Sequence, residues 1–284
     1  MGGGALPPLS ITFLGTSAAS LSPRATTTSL LLTCGDHRVL LDCGIGSLRQ
    51  LRRAGHDPQA LEGVVLTHWH HDHTSGLPRL LRAAAPRGGS GPSLPVHGPR
   101  APRGVLRALQ LSLPRRLTLN VHAVVTGFTM SLGKASLRAI RTEHSIASLG
   151  WELVEAGPPP RRLVISGDTQ PTAGIAAAAT GADLLVHEAT FLTEHASWAR
   201  RDGHTTATDA AALAHGAGVG ALALTHVPGR YTRAAVLAEG RSVFPAALLP
   251  DDLDTLTVFA VAENERATAT GWARLTHARH RSAP

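Results

Sequence analysis

The apolar positions of the chain fall first into short runs with strand-like spacing. Ile11-Thr12-Phe13-Leu14 stops at Gly15, and residues 29–33 and 39–41 flank Gly35-Asp36, which predicts a hairpin. Leu48 and Leu51, with basic residues between and after them, suit an amphipathic helix ending at Gly55. Val64-Val65-Leu66-Thr67 is short, apolar and partly β-branched, as a buried strand is. Residues 76–85 read as a helix, and 86–102 as a Gly/Pro-rich surface loop with Pro95-Val96-His97 as a brief strand. Further strands are expected at 117–125, 135–140, 151–154 and 163–165, with a turn at Gly157-Pro158-Pro159-Pro160. From there the expected elements are helix 174–179, strand 184–186, helix 206–217 and strand 221–224. No short internal repeat is present. Each half runs from strands into helices, so the pattern predicts an α/β chain of two packed β-sheets with helices outside.

Length adds that 284 residues suit one large domain, expected over 1–258, with an Arg/His-rich C-terminal extension over 259–284. A hydrophobic share of 43% is ordinary for a globular protein, and no run is long enough to span a membrane. The opening Met1-Gly2-Gly3-Gly4-Ala5-Leu6-Pro7 does not read as a signal peptide, so a cytoplasmic protein is expected. Cys34 and Cys43 could pair across neighbouring strands; a reduced pair fits the cytoplasm better.

The net charge of +7 raises the question of an anionic partner such as RNA. Almost every cation is arginine, Lys134 being the only lysine, and the abundance of Ala, Gly and Pro points equally to a GC-rich genome. Distribution says more than the total: no acidic residue lies between His73 and Arg141. That stretch is a candidate face for an anionic substrate. Aromatic residues make up only 4%, which argues against a base-stacking platform.

The candidate chemistry begins at Thr67-His68-Trp69-His70-His71-Asp72-His73. Imidazoles and carboxylates this dense are ligands for zinc and related divalent ions, and the run offers more donors than one tetrahedral ion takes. Two metals sharing a site are therefore expected, completed by residues from elsewhere. His144, Asp168 and His226 are candidates, nearly all the set falling just after predicted strands. Each alone has a plainer reading: a surface or capping histidine, or an Asx residue forming a turn.

The run His68-Trp69-His70-His71-Asp72-His73 resembles the HxHxDH signature of the metallo-β-lactamase superfamily. Phe13-Leu14-Gly15-Thr16, Asp42-Cys43-Gly44, Val96-His97-Gly98-Pro99, Gly167-Asp168-Thr169, His187-Glu188-Ala189-Thr190-Phe191, Gly203-His204-Thr205-Thr206-Ala207 and Leu224-Thr225-His226 with Arg230-Tyr231 narrow the resemblance to the ribonuclease Z family. The matches occur in order across about 11–258.

The resemblance implies an αββα sandwich, two mixed β-sheets flanked by helices, with two zinc ions. His68, His70 and His144 would hold one ion, Asp72, His73 and His226 the other, and Asp168 would bridge them. It implies hydrolysis of a phosphodiester, an RNA 3′ end or a small or cyclic one, by a metal-bridging hydroxide. Mn²⁺ or Fe remain alternatives to zinc. Asp72, His204 and Glu188 are the catalytic candidates: Asp72 to steer the water proton, His204 to protonate the leaving oxygen, Glu188 to orient His204. The alternative roles are capping for His204 and support of a ligand histidine for Glu188. Thr205 and Thr206 are candidates for binding substrate phosphate at a helix start, with plain N-capping as the alternative. A homodimer is expected from the family habit. Two features depart from the family: the long tRNA-binding arm has no room between His144 and Asp168, and Ser22-Pro23-Arg24-Ala25-Thr26 is poor in charge where the family has a basic loop. Other readings are a hydrolase of a lactone, thioester or amide, and a non-catalytic RNA-binding relative.

Overall fold

The hairpin expected around Gly35-Asp36 sets the first sheet. In the computed structural model, which describes residues 9–19, 26–85 and 91–258, Leu30 pairs with Leu41 and Cys34 with His37 across that turn. The readings made for Met1 to Pro7, for residues 22–25 and for 259–284 lie outside the described residues.

The first half of the chain runs β1 (Leu9–Gly15), β2 (Ser29–Cys34), β3 (His37–Leu41), α1 (Ser47–Arg53), a 3₁₀ turn (Pro58–Ala60), β4 (Gly63–Val65), α2 (His71–Thr74), α3 (Leu77–Ala84), β5 (Gly91–Pro92), β6 (Val96–Gly98), α4 (Arg103–Ser112), β7 (Leu117–Thr118) and β8 (Val121–Ala123). The second runs β9 (Thr129–Leu132), β10 (Ala135–Arg141), β11 (Leu149–Glu155), β12 (Arg161–Ile165), α5 (Ala173–Ala179), β13 (Leu184–Glu188), a 3₁₀ turn (Thr193–His195), α6 (Ala196–Asp202), α7 (Ala207–Gly216), β14 (Leu222–Thr225), α8 (Arg233–Val243) and β15 (Thr255–Val258).

Seven strands form one sheet in the order β15-β1-β2-β3-β4-β6-β8, and six form the other in the order β14-β13-β12-β11-β10-β9. Both mix parallel and antiparallel pairs. Alternation along each strand sorts the side chains. Leu30 and Leu32 face the core between the sheets while Leu31 packs under the helices of its own side. Leu163 and Ile165 likewise face inward and Val164 outward. The result is three apolar layers, one between the sheets and one under the helices on each outer face, which is the αββα sandwich expected. Small residues let the helices approach closely: α7 turns Ala207, Ala210, Ala211 and Ala214 onto the second sheet.

Several elements differ from the pattern reading. The strand expected at 117–125 is two: β7 pairs with β5 in a separate two-stranded ladder, and β8 pairs with β6. The break between them comes where Asn120 bonds Ser93. Helix α4 starts directly after Pro102, where the Gly/Pro-rich stretch masks it. β15 pairs antiparallel with β1 from the other end of the chain.

No helix among the described residues is long and apolar enough to cross a membrane. Both cysteines are free and buried. Burial, together with the Glu155 carboxylate, raises the Cys34 thiol, and burial pushes Cys43 up to about 12. Neither thiol is expected to react with a disulfide reagent at pH 8 until the protein is denatured, when both should; fast titration of the native protein would contradict this.

Candidate metal centre

Parallel strands bring the candidate residues to one rim of the sandwich. Strands β3, β4, β12, β13 and β14 point the same way within their sheets, and chemistry-bearing residues follow their carboxyl ends. Asp42 follows β3, the histidine run follows β4, Asp168 follows β12, Glu188 ends β13, and His226 follows β14. Asp42 and His226 both hold φ of 57°, a left-handed conformation uncommon for residues with a side chain. The turn out of the strand is thus made at the functional residue itself.

The histidine run is tied to both sheets. Trp69 donates its indole N–H to Pro99 O at 2.7 Å, Leu149 N donates to Thr67 O, and Trp151 donates to Leu66 O. Two donor clusters result. His68 Nε2 lies 2.9 Å from His70 Nδ1, which lies 3.1 Å from His144 Nε2. His73 Nε2 and His226 Nε2 are 3.3 Å apart, with Asp72 Oδ2 3.3 Å from the latter. Asp168 Oδ2 stands between them, 3.3 Å from His73 Nε2 and His226 Nε2 and 3.8 Å from His68 Nε2. All seven candidates are therefore brought together.

Their outer hydrogen bonds decide which nitrogen faces inward. His73 Nδ1 meets Asp42 Oδ2 at 2.7 Å and His144 Nδ1 meets Gly203 O at 2.8 Å. Both partners only accept, so each Nδ1 donates and each Nε2 is the atom left to face a cation. Thr67 gives its hydroxyl to Asp42 and accepts from His68 Nδ1; Thr190 gives its hydroxyl to Glu188 and accepts from His226 Nδ1. Four Nε2 atoms thus converge with His70 Nδ1 and two carboxylates.

Bare nitrogens about 3 Å apart repel unless a cation sits among them, and imidazole with carboxylate donors suits zinc and its neighbours. Electrostatics agrees. Burial holds His68 well below its ordinary value, so it stays neutral. Burial works the same way on His73, but the Asp168 and Asp42 carboxylates overcome it and raise His73 well above its ordinary value. The centre draws positive charge to its middle. Burial opposes ionisation of Asp72, yet bonding and charge from His226 and His73 hold it at about 2. The residues present fit a pair of divalent cations.

Beside the clusters lies a cavity of about 390 Å³ whose lining includes Asp72, Asp168, His204, His226, Phe191 and Arg230. His204 Nδ1 meets Glu188 Oε1 at 2.9 Å. Burial disfavours the charged ring, and the Glu188 carboxylate outweighs it and lifts His204 to about 9. Glu188 is 1% exposed and also accepts from Thr169 N, Thr205 N and Thr190. It holds His204 and does not line the cavity. Thr205 and Thr206 are fully buried and their hydroxyls are engaged, Thr205 to Thr169 O and Thr206 to Asp209, whose N–H Thr206 caps. The capping alternative describes Thr206, and neither threonine lines the cavity.

The sequence pattern missed three contributors. Asp42 orients His73 and binds Thr67 through N and Oγ1. Thr190 joins Glu188 to His226. Arg230 lies over the rings of Phe191 and Tyr231, 4.8 and 4.7 Å from their centroids, at the cavity edge. Each stands in a quoted motif, but the partner that gives it a role is remote in sequence.

Comparison with known proteins gives the setting of this centre. Residues 37–227 match the Beta-lactamase superfamily domain. A protein of Bradyrhizobium sp. named Ribonuclease Z is 33% identical, covering 87% of this chain and 98% of its own. That alignment runs over 297 positions, more than this chain supplies, so the relative carries segments absent here. The crystal structure of human tRNase Z, short form, superposes with a TM-score of 0.72 at 26% identity, covering 87% of this chain and 98% of that one. A metallo-beta-lactamase fold protein from Bacillus subtilis shares the fold, with a TM-score of 0.75 at 23% identity over 88% of this chain and 99% of its own.

Proposed function

The chain belongs to the beta-lactamase superfamily, among its ribonuclease Z-like members, and from that membership we propose a metal-dependent hydrolase that cleaves a phosphodiester of RNA. The observation that carries it is the centre itself: six donors in two clusters joined by Asp168 Oδ2, with a Glu188-held histidine opening on the same cavity.

His68, His70 and His144 would hold one ion, Asp72, His73 and His226 the other, and Asp168 both. Ions of the zinc class bound there would supply Lewis acidity toward a phosphoryl oxygen and ionise water near pH ~7. The remaining work falls to side chains. Glu188 accepts the Nδ1–H of His204, leaving Nε2 for the cavity that His204 lines. From there it can give a proton to the departing oxygen. Asp72, ionised and partly exposed, can accept a proton from an attacking water. Arg230, braced by two aromatic faces, offers a fixed cation to the substrate phosphate.

This reading takes zinc as the ion. The two buried free thiols support the cytoplasm as compartment. The homodimer rests on the ribonuclease Z resemblance.

The test is a parallel assay of a 3′-extended RNA, bis-p-nitrophenyl phosphate, a lactone and a thioester, with bound metal quantified. Two equivalents of metal and turnover of the two phosphodiesters are expected. Faster hydrolysis of the lactone or thioester would replace this reading with the acyl hydrolase, and a metal-free, fully folded protein would end it.

A further inference from the structure

A second cavity, of about 430 Å³ and touched by none of the metal-site side chains, lies between α1 and α3. Arg49, Arg52 and Arg53 enter it from α1, where positions three and four apart share a face. Arg79 enters from α3. Gly46, Ser47, Leu48 and Gly76 complete the lining, and it holds no carboxylate.

Five arginines elsewhere form ion pairs with acids, Arg138, Arg161, Arg162, Arg201 and Arg233, while others among the described residues stand alone on the surface. Among the described residues, Arg49, Arg52, Arg53 and Arg79 pair with none, and Arg53 bonds only Gln50 Oε1. Helix geometry explains half of this cluster. Arg52 and Arg53 stand in the last turn of α1, where the helix dipole favours cations. Arg49 and Arg79 stand in first turns, where it disfavours them. Guanidinium groups remain charged at every physiological pH, so these four, all exposed to solvent, give the cavity mouth a positive charge that an anion would offset.

The cavity backs onto the metal-binding turn. A Cβ added to Gly76 would stand 2.3 Å from Gly44 O, and one added to Gly44 would stand 2.3 Å from Asp72 O. Only glycine permits that approach, and Gly76, three residues after His73, itself lines the cavity.

We propose that this cavity binds backbone phosphates of the RNA substrate away from the linkage being cut, a proposal that rests on the RNA reading of the metal centre. The guanidinium fork matches phosphate oxygens in pairs. No aromatic ring lines the cavity, so it grips backbone without reading bases.

The test compares the metal-loaded wild type with R49Q/R52Q/R79Q, and with R79Q alone in case the triple variant folds poorly. Binding of a fluorescent single-stranded RNA is followed by anisotropy as salt is varied. Each lost phosphate contact lowers the slope of log affinity against log salt by ~0.7, so the triple variant should lose about 2 and R79Q about 0.7. KM for RNA should rise about tenfold or more at the lower salt, with bis-p-nitrophenyl phosphate turnover unchanged. An unchanged salt slope would overturn the proposal. So would binding of inorganic phosphate by the wild type with RNA affinity the same in both proteins, which would make this a small-anion site. A wild type that binds RNA with a slope the variants lose, yet never cuts RNA, would uphold this site and reject the proposed reaction.

Discussion

Asp168→Ala should empty the metal centre and abolish hydrolysis while leaving the fold intact. Its Oδ2 stands between the clusters, 3.3 Å from His73 Nε2 and His226 Nε2 of one and 3.8 Å from His68 Nε2 of the other. The side chain is otherwise spent on nothing structural; it is the backbone carbonyl that accepts from Ser148. Without the carboxylate, the imidazoles lose the anion that offsets a divalent charge in a buried site. Even residues that only orient a metal ligand change affinity ~10–100-fold, and Asp168 touches the space where the ions belong. Loss of Lewis acidity, several kcal/mol of transition-state stabilisation, corresponds to a fall in kcat of about 10³-fold or more. Metal analysis after dialysis, circular dichroism and turnover measure the three parts. Full metal retention with unchanged turnover would show that Asp168 does not join the clusters. Asp168→Asn, which keeps the shape and drops the charge, should recover little.

His204→Ala should separate substrates rather than disable the enzyme uniformly. A group donating a proton to the leaving oxygen contributes ~10²–10⁴-fold, and only when that oxygen needs a proton. RNA expels an alkoxide, while bis-p-nitrophenyl phosphate expels a stable phenolate. The variant should therefore lose roughly 10²-fold or more on RNA and little on the nitrophenyl ester, with its metal retained. Equal losses on both substrates would assign His204 to structure. Glu188→Gln should show the same substrate pattern more weakly, because Glu188 acts through the His204 Nδ1 proton.

Local elements were readable from residue pattern alone. The β2–β3 hairpin, the buried strands β12 and β13, and helix α7 each carry their own turn, cap or period. Elements defined by distant partners were not. β15 becomes a strand by pairing Val258 with Leu9, and α8 buries only Val236 and Gly240, too little for a periodic stripe. At the centre, the histidine run announced metal by itself because its donors are contiguous. Arg230 could not be read, since its value comes from the rings of Phe191 and Tyr231 beneath it.

The sequence by itself determined which donors exist, that they outnumber one ion's needs, and that nearly all of them follow expected strands. Tertiary structure decided which atom of each donor faces the ions. Asp42 fixes His73, Gly203 fixes His144 and Thr190 fixes His226, all through contacts of 2.7–2.8 Å between segments remote in the chain. An imidazole has two nitrogens and no preference of its own between them. The choice falls to whichever acceptor lies within hydrogen-bond reach, and only folding brings that acceptor there.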